Sequence, residues 1–140
     1  MIRPEAARPT RVVGLGCQRG CSADQLLELI QQSLHRAGLS LDDVSALASI
    51  DLKAQEPGLL QLASRLDLPL KCFNASELVV HEAQLSHRSE VAFTHTGCHG
   101  VAESAALALA SESGPAQLLI TRQKSPQATF ALAISPSIER

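Results

Sequence analysis

Tryptophan and tyrosine are absent from the 140 residues, and phenylalanine occurs only three times. A core built almost without rings must be filled by Leu, Ile, Val and Ala, and the aromatic platforms on which single-stranded nucleic acid stacks are missing. No sign of charge dominates: 12 Lys and Arg stand against 14 Asp and Glu, a formal net charge of −2, so no nucleic-acid partner is expected. Nothing approaches the ~20 consecutive apolar residues of a membrane span, and the opening MIRPEAARPT carries charge and proline where a secretory leader would be apolar. These absences lead to the expectation of a cytoplasmic protein with no membrane association. Without a leader, Cys17, Cys21, Cys72 and Cys98 are expected as reduced thiols and not as a disulfide framework.

What is present is ordinary globular composition, 45% apolar and 19% charged, in a chain long enough to bury its own core. We expect a tail over residues 1–10 and one domain over residues 11–140. Arg11–Leu15 (RVVGL) reads as a buried strand ending in a glycine turn, Ser22 as the N-cap of a helix carrying Leu26, Leu27, Ile30 and Leu34, and Gly38 as its stop. Ala46–Ile50 is a second strand, a helix starts near Pro57, and Pro69–Phe73 is a third strand before a short helix over Ala75–His81. Residues 82–100 lack periodicity and read as an extended loop around a weak strand at Val91–Thr94. An alanine-rich helix follows Gly100, and Gln117–Thr121 and Thr129–Ile134 are closing strands joined by RQKSPQ. Such alternation predicts an α/β fold, a single layered domain with a mostly parallel sheet flanked by helices. Ligands of such folds bind beyond the C-terminal ends of strands.

The loop VVGLGCQRGCS lies at such an end and admits several chemistries. Gly14, Gly16 and Gly20 give G-x-G-x-x-x-G, which is off the dinucleotide spacing, and the acidic residue expected at the end of the second strand is met only by Asp42 or Asp43 in a turn. Cys17 and Cys21 could be joined by His95, Cys98 and His99 of HTGCH around zinc. Small buried cysteines and loop histidines account for the same residues, and we expect no metal and no cofactor. Cys17, beside Arg19 and a helix N-terminus, is a candidate nucleophile. The reading carried forward needs no thiol chemistry: glycine backbone donors, a helix N-terminus and the Arg19 fork can bind an anion.

Two other strand ends carry charge. Asp51, Lys53 and Glu56 in IDLKAQEPG could hold a carboxylate on Lys53 while Asp51 or Glu56 acts as acid or base; for Glu56 alone, support of the helix beginning at Pro57 is preferred. Arg122 and Lys124 are expected in the link between the last strands, adding cations to Arg19 and Lys53. Glu103, in the first turn of the alanine-rich helix, is by default a partner of its dipole.

Taken in order, GLGCQRGCS, SIDLKAQEPGLLQLA, GVAESAALALA and KSPQATFALA resemble the cobalamin-biosynthesis family of CobE and the C-terminal domain of CbiG, and are most similar to its stand-alone CobE form. The resemblance runs from about Arg11 to Ser135. It implies an α/β fold, a role in corrin-ring formation, and a polycarboxylated tetrapyrrole (precorrin) as ligand, with other corrin-pathway enzymes as partners. The matching positions are Gly14, Gly16, Cys17, Arg19, Gly20 and Ser22, then Asp51, Lys53 and Glu56, then Gly100 and Glu103, then Lys124 and Thr129. For CbiG-like relatives the resemblance implies opening of a ring lactone, in which Asp51 or Glu56 would be the acid or base. For a stand-alone form it implies a carrier or accessory role. A zinc-binding regulatory domain is a further alternative. Cys21, His95, Cys98 and His99 depart from the family pattern.

Overall fold

A computed structural model describes residues 9–136. Most of the tail expected over residues 1–10 lies outside them, and Thr10 already opens the first strand. The strands are β1 (Thr10–Cys17), β2 (Ala46–Ile50), β3 (Leu70–Phe73), β4 (Gln117–Lys124) and β5 (Ala128–Ser135). The helices are α1 (Ala23–Arg36), α2 (Pro57–Leu66), α3 (Ala75–Val79), α4 (Glu90–Thr96) and α5 (Val101–Ala110). The sheet order is β3-β2-β1-β5-β4.

The α/β expectation holds, but the sheet is mixed and not mostly parallel. β1, β2 and β3 are parallel, whereas β5 runs antiparallel to both β1 and β4. Chain length explains the reversal: only Ser125–Gln127 separates β4 from β5, and a parallel pair needs a crossover of a dozen residues or more. β4 also runs further than expected, so Arg122 and Lys124 belong to the strand and not to the link.

Two cores sandwich the sheet. On one face, α1 and α2 bury Leu26, Ile30, Leu34, Leu59 and Leu62 against Val13, Leu15, Leu47 and Phe130. Each fully buried Leu or Ile contributes about 1.5–3 kcal/mol, so aliphatic chains can hold the domain without a ring-rich centre. On the other face α5 packs over β1, β2 and β5. A Cβ added to Gly14 would stand 1.9 Å from the Ala102 carbonyl oxygen, so the helix backbone rests directly on the strand. Alanines at 102, 105 and 106 suit that narrow gap. All of Val101–Ala108 is buried, because the chain between α3 and α5 covers the outer side: Leu78 joins this core, Leu85 lies against Gly100, and the Cys98 Sγ meets Ser104 Oγ at 3.5 Å.

The same covering chain overturns the weak strand expected at Val91–Thr94. It is helical, α4, because Ser89 caps it by accepting the Ala92 N–H and Gly97 stops it at φ 78° with its N–H on the Phe93 carbonyl. A 3-10 turn at Glu82–Gln84 further replaces the expected extended loop.

The antiparallel register aligns Cys17 with Ala128, and Lys124 with Thr129. The C-terminal ends of β1 to β3, the β4–β5 hairpin and the starts of α1, α2 and α5 therefore share one edge of the sheet, called here the upper edge. Five strands at about 4.8 Å spacing make it about 19 Å wide.

Candidate functional site

The loop after β1 is held from both sides. The Gln18 N–H donates to the Gln127 carbonyl of the hairpin at 2.9 Å, and the Cys21 N–H returns to the Gln18 carbonyl at 3.1 Å. Gly20 adopts φ 84°, a conformation that favours glycine, and its N–H donates to Glu56 Oε2 at 2.9 Å. Gly58, in the first turn of α2, lies so near the loop that a Cβ there would sit 2.0 Å from the Cys21 carbonyl oxygen. Ser22 caps α1 as expected: its Oγ accepts the Gln25 N–H at 3.1 Å while Gln25 Oε1 accepts the Ser22 N–H at 2.9 Å. Gln18, Arg19 and Gly20 remain exposed.

At the end of β2, Asp51–Lys53 forms a 3-10 turn, with Asp51 exposed and Lys53 half-buried. Glu56 starts α2 through its carbonyl, which accepts the Leu60 N–H at 3.1 Å. Its side chain crosses to Gly20 instead of capping its own helix. Burial pushes the Cys17 thiol up to about 11 even though Lys53 pulls the other way. Burial, reinforced by Glu56, also raises Cys21. Neither thiol is thus poised as a thiolate at neutral pH, which removes the support for Cys17 as a nucleophile.

On the hairpin side, Lys124 is exposed and Thr129 half-buried. A Cβ on Gly16 would lie 2.7 Å from Thr129 Oγ1 and 3.6 Å from the Val101 Cβ, so the bare glycine makes room for the hydroxyl beside the start of α5. Gly100 is the N-cap of α5, with no side chain to cap the helix. Glu103 is only 1% exposed. Its carboxylate accepts the Ser86 N–H and the Arg122 N–H, each at 2.8 Å, and the Ser86 hydroxyl as well.

Arg19, Lys53, Lys124, Thr129 and Gly100 therefore lie on separate segments along the upper edge, while Glu103 is buried beneath it. The residues of HTGCH are spent separately: His95 is exposed, Cys98 is buried against Ser104, and His99 Nδ1 pairs with Glu82 at 2.7 Å. Among the described residues no group of three or more His, Cys, Asp or Glu could hold a metal ion. Sequence reasoning missed Ser86 and the roles of Gln18 and Gln127, none of which carries a local signal. A shallow groove at the end of α1, lined by Leu34, His35, Leu39 and Leu41 among others, contains no Lys or Arg and does not suit a polyanion.

Residues 11–133 match the family described as cobalamin synthesis G C-terminus. The chain belongs to this family. It is 38% identical to protein CobE of Sinorhizobium over 122 residues, 87% of this chain and 78% of that one. It is 33% identical to the cobalt-precorrin-5A hydrolase of Priestia megaterium over 89% of this chain, but it spans only 32% of that protein's length. The crystal structure of CobE, a protein from the cobalamin biosynthetic pathway, superposes with a TM-score of 0.88 at 42% identity, covering 94% of each chain. A cobalamin biosynthesis protein, chiG, from Agrobacterium tumefaciens gives a TM-score of 0.67 at 28% identity, covering 89% of this chain and 97% of that one. This is a cobalamin-biosynthesis protein of the CobE and CbiG C-terminal type. Among the described residues, no helix is long and apolar enough to cross a membrane.

Proposed function

We propose that this cobalamin-biosynthesis domain binds a polycarboxylated, ring-contracted tetrapyrrole along its upper edge and acts as a carrier or accessory factor that hands it to other enzymes of corrin formation. One observation carries the reading: Arg19, Lys53 and Lys124 come from three separate chain segments to an edge where α1, α2 and α5 also begin. Side-chain cations give charge-assisted bonds to carboxylates, and helix starts favour negative charge. An edge about 19 Å wide can engage several side arms of one macrocycle at once. Gly14, Gly16 and Gly20 set the close packing and the loop turn, and Thr129 and the Gly100 start of α5 add polar groups beside the hairpin. Cys17 and Ser22 support the loop from within.

The similarity to cobalt-precorrin-5A hydrolase favours a second reading, lactone opening by a water molecule. Asp51, exposed at the end of β2, would be the acid or base. Glu56 suits that role less, since its carboxylate is engaged by Gly20. Neither reading calls on a cofactor.

A visible-absorption titration with cobyrinic acid, the corrin whose side arms end in free carboxyls, tests the first reading. Saturable binding that weakens in Arg19→Ala and Lys53→Ala is expected; failure to bind would overturn it. Turnover of a lactone-bearing precorrin, lost in Asp51→Asn, would establish the second.

A further inference from the structure

We propose that Glu103 is a positioning residue that aims Arg122 at the upper edge as a further ligand-binding cation. The proposal rests on the reading of that edge as a carboxylate-binding surface. Burying a carboxylate is costly unless it is hydrogen-bonded, and Glu103 sits in a helix otherwise built from Val, Ala, Leu and Ser. Its satisfaction is correspondingly complete. Oε1 takes the Ser86 N–H, and Oε2 takes both the Ser86 hydroxyl and the Arg122 N–H.

The Arg122 bond coincides with an irregularity in the sheet. Ile120 faces Leu132 and Gln123 faces Phe130, so three steps along β4 match two along β5. A bulge of this kind releases a backbone N–H from the ladder and re-aims the side chains beside it. Here the released group at Arg122 is taken by Glu103. Beyond the bulge, Gln123 turns to α1, where its Oε1 accepts from Arg36 Nη1 at 3.1 Å, and Lys124 pairs with Thr129. Arg122 is thus fixed three residues before the Ser125–Gln127 link, two before Lys124, and through Glu103 near the start of α5. Because Glu103 grips the backbone of Arg122, the charge of the guanidinium is not consumed in the grip. A planar fork held there can take a carboxylate side arm bidentately, which Lys124 cannot do. Glu103 therefore acts through Arg122, from beneath the surface.

The test is a cobyrinic acid titration of the full chain, of Arg122→Ala, of Glu103→Gln and of the double variant, each at low and high salt, with thermal unfolding as the check on folding. Arg122→Ala is expected to weaken binding about tenfold, the scale of one charge-assisted pair, and to flatten its salt dependence. Glu103→Gln, which lacks the second acceptor oxygen, is expected to do the same with Arg122 still present, and the double variant to lose no more than either single one. A merely structural glutamate would leave the salt dependence unchanged and its effect would add to that of Arg122→Ala; either result overturns the proposal, as does unaltered binding by Arg122→Ala. If Glu103→Gln fails to fold, Ser86→Ala, which removes one donor from the same oxygen, is expected to show a smaller loss with the same flattening, and no loss would count against the proposal. Absence of binding by the unaltered protein overturns the reading of the edge itself, and this assignment with it.

Discussion

The Glu56 carboxylate accepts the Gly20 N–H at 2.9 Å across 36 residues of sequence, and so ties the start of α2 to the loop after β1. A hydrogen bond to a charged group contributes about 1.5–3 kcal/mol when well shielded, and less where half-exposed as here. Glu56→Ala is expected to lower the urea midpoint by an amount equivalent to about 1 kcal/mol. An unchanged midpoint would show that the tie adds no stability.

Gly14 offers a sharper case, because its missing side chain is space that the α5 backbone occupies. Overpacking a core costs about 1–3 kcal/mol when neighbours can shift, and a helix backbone shifts poorly. Gly14→Ala should lose at least the upper part of that range, or fail to fold. Gly58→Ala, placed against the Cys21 carbonyl, should behave likewise, whereas exposed Gly38, with open space around it, gives only the strain of its φ of 76°.

Stability should also depend on acid through one identifiable group. Hydrogen bonds from the His99 side chain and backbone hold the Glu82 carboxyl below its ordinary value of 4.5, with Arg88 adding to the effect. A carboxyl whose value is lowered by folding stabilises the fold above its unfolded value, and that contribution disappears as the pH falls through the folded one. The stability advantage of the unaltered protein over Glu82→Gln should therefore shrink as the pH falls below about 4.5. A difference that grows over that range would reverse the sign and refute the assignment.

Cys17, with its thiol pushed up to about 11, should react slowly with iodoacetamide at neutral pH and faster at each step toward that value. Lys53→Ala removes the charge that opposes the rise, so alkylation should slow further. Mass spectrometry of the loop peptide over a pH series measures both effects; rapid labelling at pH 7 would restore Cys17 as a reactive residue.

Local signals carried the sequence reading where local physics decided the structure. Ser22 with Gln25 three residues on marked the start of α1, Pro57 marked that of α2, and the apolar runs at Val12–Leu15 and Ala46–Ile50 became central strands. Strand direction was hidden, because RVVGL and TFALA read alike whichever way they run. α4 was hidden for another reason: Val91, Phe93 and Thr94 suit a strand by propensity, and the Ser89 cap, the Gly97 stop and the stack of Phe93 on His99 at 4.4 Å override it. Among the candidate residues, the placement of Arg19 and Lys53 after apolar strands was legible as a local pattern, whereas Lys124 lies within β4, because the strand runs on past its apolar stretch. The burial of Glu103 was not legible, since no first-turn glutamate announces that its helix is covered on every side.

The pairing of Thr10 with Ser135 has a consequence for how such a domain can be combined with others. Both ends of the described chain leave side by side, from the edge opposite the cations. A domain with that layout works as a cassette: it can be joined to more polypeptide at either end, or have its ends linked and be reopened elsewhere, without anything being drawn across its upper edge. Such a layout accords with a match that spans 78% of CobE but only 32% of a cobalt-precorrin-5A hydrolase.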